Sequence, residues 1–179
     1  MNKKGFTLIE ILAVIIIISI VATIGIAAIS SSVDKSRKSD FANLAKTYAE
    51  SARSMRGQDK LPHDPKKGEV VIIKVSALNG TDKNEDYDTA YGEVVKELSY
   101  VAIVNDNYDY YYYVTVIDTS RHCILNADYS VVSDKSVAVN YNSDSVFNFA
   151  TVSQGSTVTI NSNNYTVTAV HDNYVVAKK

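Results

Sequence analysis

From Ile11 to Ile29 the chain carries no charged residue, and Ile, Val, Leu and Ala dominate the run. A hydrocarbon core about 30 Å thick is crossed by roughly 20 apolar helical residues, so this stretch is long enough to span a bilayer. At its head stands Glu10, behind Phe6-Thr7-Leu8-Ile9. A carboxylate placed centrally in a spanning helix costs on the order of 2.5–3.5 kcal/mol on insertion scales, so Glu10 calls for a partner. The chain must therefore shelter an apolar rod and supply a cation to the acid at its start.

The residues around the acid suggest where that cation comes from. Lys3-Lys4-Gly5-Phe6-Thr7-Leu8-Ile9-Glu10 resembles, position for position, the processing site of type IV prepilins. The resemblance implies a class III leader peptide, residues 1–5, removed by a prepilin peptidase that cuts after Gly5. It implies N-methylation of the new terminus, Phe6, and a contact between Glu10 and the Phe6 amine of a neighbouring subunit. Physical chemistry supports this on its own terms. Cleavage creates an ammonium at Phe6, and methylation leaves an amine that still takes a proton. In apolar surroundings that cation and Glu10 are each costly alone, and as a pair they add little net stability, because desolvation offsets most of the attraction. What the pair can fix is register: a subunit misplaced along the bundle strands two charges in hydrocarbon. Glu10 reads as an assembly residue, not as a catalytic acid.

Simpler readings explain less. A secretory signal has an apolar core of 7–15 residues and a small-residue cut site; here the core is longer, and Ile26-Ala27-Ala28 offers only a weak site. A plain signal anchor accounts for the run but leaves Gly5 and Glu10 unexplained. Lys3 and Lys4 on one flank nearly balance Lys35, Arg37 and Lys38 on the other, so loop charge does not set orientation. The resemblance does, placing the N-terminus in the cytoplasm and the rest of the chain outside.

Beyond the apolar run, Val33, Phe41, Leu44, Ala45, Tyr48, Ala52 and Met55 recur at threes and fours, the period of one buried helical stripe. Gly57 offers a stop, and Arg53 and Arg56 suit the negative end of the helix dipole. A helix from Phe6 to Arg56 would be about 75 Å long. Gly25 is its weak point, costing about 1 kcal/mol relative to Ala. No proline interrupts it, so the loosening on assembly that the resemblance allows would begin near Ser19, Thr23 or Gly25.

Gly57 to Ser99 reads as a connecting region with both prolines, a strand within Glu69–Ser76 and a turn at Asn79-Gly80. Strands are expected at Tyr100–Val104, Tyr110–Ile117, His122–Leu125, Ser136–Asn140, Phe147–Val152, Thr157–Ile160, Tyr165–Val170 and Tyr174–Ala177, joined by Asn- and Asp-rich turns. A long helix followed by antiparallel strands is an α+β arrangement, with the amphipathic half of the helix laid on one sheet face. This is also the pilin fold that the resemblance implies. The tyrosines Tyr110-Tyr111-Tyr112-Tyr113 alternate, so two face the helix and two face away. Tyrosine suits contacts with sugars or partner subunits, although packing is the simpler role.

One segment resembles a metal loop. Asp82, Asn84, Asp86 and Glu93 follow the oxygen-ligand spacing of an EF-hand, but Tyr87 stands where the sharp turn needs Gly. A solvated acidic loop is the plainer reading, and no metal site is assigned. Neither a phosphate-binding glycine loop nor a Cys/His cluster nor a catalytic triad order stands out, so neither cofactor nor enzymatic activity is expected. The single cysteine, Cys123, rules out an internal disulfide. Because many Gram-negative pilin heads carry one, the resemblance points towards pilins of Gram-positive anaerobes. From Gly57 to Lys179 there are ten Lys/Arg against sixteen Asp/Glu, an acidic surface that argues against general nucleic-acid binding.

The expected organisation is a leader at 1–5, a membrane-spanning or filament-core half-helix at 6–30, an amphipathic half at 31–56 and a β-rich head at 57–179. By resemblance this is a type IVa-like major pilin: a single-pass membrane protein with an external head before assembly, then an extracellular filament. Adhesion, twitching motility and biofilm formation would follow. Implied partners are further copies of the chain, minor pilins, the prepilin peptidase, a membrane platform and assembly ATPases. The alternatives are a pseudopilin of a type II secretion or DNA-uptake system and a membrane-anchored ligand-binding module.

Overall fold

The computed structural model describes residues 7–78, 88–107 and 109–179, and of residues 23–28 the backbone alone. The chain divides into two units, Met1–Ser36 and Arg37–Lys179. Helix α1 (Leu8–Gly57) contributes its first part to one unit and its last part to the other. It ends at the expected glycine, yet the residue that turns the chain is Asp59, at φ 55°. The Asp59 N–H bonds the Arg56 carbonyl (3.0 Å) and the Lys60 N–H bonds that of Met55 (2.8 Å), the paired closure of a Schellman motif. Asp tolerates this left-handed conformation better than most residues. Gly57 has open space around it and no special backbone angle.

In the larger unit the end of α1 packs on an eight-stranded antiparallel sheet, an α+β architecture consistent with the pilin fold. The strands are β1 (Glu69–Lys74), β2 (Tyr100–Asn105), β3 (Tyr110–Ile117), β4 (His122–Asp128), β5 (Ala138–Val139), β6 (Thr157–Ile160), β7 (Asn163–Val170) and β8 (Tyr174–Lys178). Their spatial order is β5-β4-β3-β2-β1-β8-β7-β6. Although β1 lies in the segment read as a connector, it is a central strand, paired with β2 on one side and β8 on the other. That position explains its unbroken Val70-Val71-Ile72-Ile73 run: both faces are buried, so alternation with polar residues would strand polar groups in the core.

One face of the sheet meets the helix. Phe41, Ala45, Tyr48, Ala49, Ala52 and Met55 from α1 pack with Val71, Ile73, Val101, Ile103, Tyr112 and Val114. The helix face is rich in alanine, and small side chains let its backbone approach the strands closely. The opposite face is buried as well. Val70, Ile72, Tyr100, Ala102, Val104 and Tyr113 share a second cluster with Val158, Ile160, Tyr165 and Val167 of β6 and β7. The sheet curls far enough for β4, next to one end, to reach β6 at the other: the Asn126 amide of β4 donates to the Thr159 carbonyl of β6 (3.3 Å). The sheet is interrupted by a register shift against β4 between Val114 and Val116 of β3 and by a bulge in β7 between Val167 and Ala169. One extra residue shifts the register, so Val167 joins the second cluster while Ala169 packs on the helix side.

Two expected strands are revised. Phe147–Val152 is not a strand, because the Asn148 side chain accepts from Ala150 N–H and its carbonyl accepts from Val152 N–H, closing a turn. Phe147, Phe149 and Val152 are side chains packed on the second cluster instead. The Ser136–Asn140 run shrinks to two residues. Ser133 and Ser136 cap a short 3-10 turn before it, and Asn140 takes φ 67° after it.

Candidate assembly site at the start of the helix

The first turn of α1 is capped by its own sequence. Thr7 precedes the helix, and its N–H and hydroxyl donate to Glu10 Oε2 at 2.8 and 2.9 Å. The Glu10 N–H returns a bond to Thr7 Oγ1 (3.3 Å). This reciprocal arrangement is a capping box, which satisfies backbone donors that a helix start leaves open. The motif Thr7-x-x-Glu10 is legible in the sequence, but the acid alone drew notice there; Thr7 is the residue that reading missed. Both bonds from Thr7 fall on Oε2, and Glu10 is exposed. The carboxylate is thus oriented by its own chain while remaining open to an outside cation. Gly5 and Phe6 lie outside the described residues.

Around the acid the helix is bare. Leu8 is 85% exposed and Ile9 74%, and every residue from Ile11 to Val21 is exposed as well. An uninterrupted apolar surface of this extent is unfavourable in water and marks a face meant for lipid or protein. Among the described residues no helix is long and apolar enough to cross a membrane; the side chains of 23–28, through which the apolar run passes, are not among them. Asp82, Asn84 and Asp86 of the acidic loop also lie outside the described residues. Glu93 is described and donates its N–H to Thr119 Oγ1 (3.2 Å). Among the described residues no group of three or more His, Cys, Asp or Glu is placed to hold a metal ion.

The described residues thus hold an α+β unit and, in the other unit, an exposed apolar helix start with a capped acid. Residues 1–26 match the family described as the prokaryotic N-terminal methylation motif. That match supports a type IV pilin-like class III leader, and with it a structural protein of pilin or pseudopilin type. It also implies processing by a prepilin peptidase and assembly into a type IV pilus-like system. No curated protein and no solved structure matches the chain.

Proposed function

We propose that this chain is the structural subunit of a type IV pilus, polymerising without covalent links through its N-terminal helix. The observation that carries the reading is the conjunction of Glu10, held by Thr7, with the exposed apolar surface that follows it. Cleavage after Gly5 frees the Phe6 amine, which is methylated and meets Glu10 of an adjacent copy. The apolar half-helix is stored in the bilayer before assembly and is covered by its neighbours afterwards, so the same surface serves two environments. The heads then tile the outside of the filament. Adhesion, surface motility and biofilm formation follow from extending and retracting such a polymer, with minor pilins, a platform protein and ATPases as partners.

Mass spectrometry of the mature chain, paired with electron microscopy of cells, tests the reading. A chain beginning at methylated Phe6 and long extracellular filaments containing it are expected. Glu10→Val should leave cleavage intact and abolish incorporation. A mature protein that still begins at Met1, or normal filaments built from Glu10→Val, would overturn it.

A further inference from the structure

The curl of the sheet leaves an open mouth where the β2–β3 turn, the β6–β7 turn and the start of β1 converge. The cleft has a volume of about 340 Å³, at the small end of the range of ligand clefts, about 300–1,000 Å³. We propose that it is a binding site for a neutral saccharide, with room for one or two rings. The proposal concerns the head alone and does not depend on the pilus reading.

Three tyrosines supply the walls: Tyr111, Tyr113 and Tyr165. Tyr113 and Tyr165 are buried, but Tyr111 is 40% exposed, an aromatic side chain left open at the lip. The electron-rich face of such a ring is complementary to the C–H face of a pyranose, which is apolar and slightly positive. Placed on alternate positions of β3, Tyr111 and Tyr113 point to the same side of the sheet. The tetrad of tyrosines therefore divides as its alternation requires, with Tyr110 and Tyr112 on the helix side and Tyr111 and Tyr113 turned to the cleft.

The polar groups are arranged for hydroxyls. Asn161 donates its amide N–H to Tyr113 Oη (2.8 Å), which leaves the tyrosine proton free to be given to a ligand. Lys179 Nζ donates to Asn163 Oδ1 (2.9 Å) and keeps two further protons. The Tyr165 hydroxyl has no hydrogen-bond partner among the described residues, and Asp106 adds a carboxylate acceptor. The cleft thus offers donors and acceptors side by side, as a sugar hydroxyl, which does both, requires. One Asp and one Lys line it, so the lining side chains carry no net charge.

The lips are stiff. Asn107 in one turn and Asn161 and Ser162 in the other take positive φ without being glycine (72°, 45° and 62°). A serine held there is strained, and such strain persists only where the surrounding structure over-determines it.

The full mature chain in a zwitterionic, non-glycosidic detergent is titrated with the methyl glycosides of glucose, galactose, mannose and N-acetylglucosamine, and with N-acetylneuraminate as the anionic comparison, followed by saturation-transfer NMR. At least one should receive saturation on the C–H protons of one ring face, with Kd on the order of 1 mM. Tyr111→Ala should weaken binding at least about tenfold, and Tyr111→Phe should retain it. Should Tyr111→Ala fold poorly by circular dichroism, Asp106→Asn provides the second variant, with a loss of about threefold or more expected. No transfer to any glycoside, transfer unchanged in Tyr111→Ala and Asp106→Asn, or binding of N-acetylneuraminate alone would overturn the proposal.

Discussion

The side-chain amide of Asn161 donates to the hydroxyl of Tyr113 at 2.8 Å, across 48 positions of sequence. It ties the β6–β7 turn to the middle of β3 and so holds the curled sheet closed over its second core. Tyr113→Phe removes the acceptor and leaves the amide of the exposed Asn161 to pair with water. A loss of about 0.5–1.5 kcal/mol in unfolding free energy is expected from urea titration, with the folded circular dichroism spectrum unchanged.

The alanine-rich face of α1 sets how closely helix and sheet approach. Ala45 is fully buried between Phe41 and Ala49 on that face. Ala45→Leu adds three carbons where no room exists and should cost about 1–3 kcal/mol. Ala45→Ser changes volume little and should cost less, so a larger loss from serine than from leucine in thermal unfolding would show that tight packing is not the constraint.

Glu69 opens β1. Its carboxylate accepts from the Lys66 N–H (2.9 Å) and lies 3.4 Å from His63 Nε2. The Lys66 backbone bond, opposed by some desolvation and helped by His63, holds its pKa below the usual value. A carboxyl depressed in the folded state contributes stability above its unfolded pKa and loses it as pH falls through the folded one. The wild-type melting temperature should therefore fall below about pH 4.3, and Glu69→Gln should show a shallower fall over the same window. Parallel curves for the two proteins would exclude this contribution.

Cys123 is free and buried on β4. Burial raises its thiol pKa, and the nearby Asp118 charge raises it further. The thiolate is the reactive form, so alkylation by iodoacetamide at pH 8 should be slow in the native chain and fast in denaturant. Equal rates in the two states would mean that β4 opens readily.

The loop that returns to the sheet before β2 is pinned through Tyr91, whose ring stacks on His122 with centroids 3.7 Å apart. Gly92 beside it allows this approach: a Cβ there would lie 2.6 Å from Thr119 Oγ1, the atom that accepts the Glu93 N–H. Gly92→Ala should displace that bond and destabilise the chain by about 1–3 kcal/mol in urea unfolding, with faster amide exchange at Glu93.

Most strands could be read from local pattern because β-branched and aromatic runs bounded by Asn and Asp turns carry their own boundaries. β2, β3, β6 and β8 lie within one residue of their expected limits. Phe147–Val152 misled for a definite reason: its aromatic residues are apolar because of what they cover, while the Asn148 turn decides the backbone. At the candidate assembly site, Glu10 stood out because an acid at the head of an apolar run has a cost. Its partner Thr7 did not, because threonine there is unremarkable until the geometry shows the bond.

The order of residues by itself determined the N-terminal apolar rod with its acid, the single stripe on the second half of the helix, and the turns between strands. All of these are short-range properties, fixed by neighbours within a turn or a hairpin. Only the tertiary structure decided that β1 lies at the centre of the sheet, that a bulge in β7 sends Val167 and Ala169 to opposite cores, and that Tyr111, Asp106 and Lys179 share one cleft. Those outcomes rest on pairings between segments far apart in the chain, and a pairing is set by the core that both partners bury together, which neither segment specifies alone.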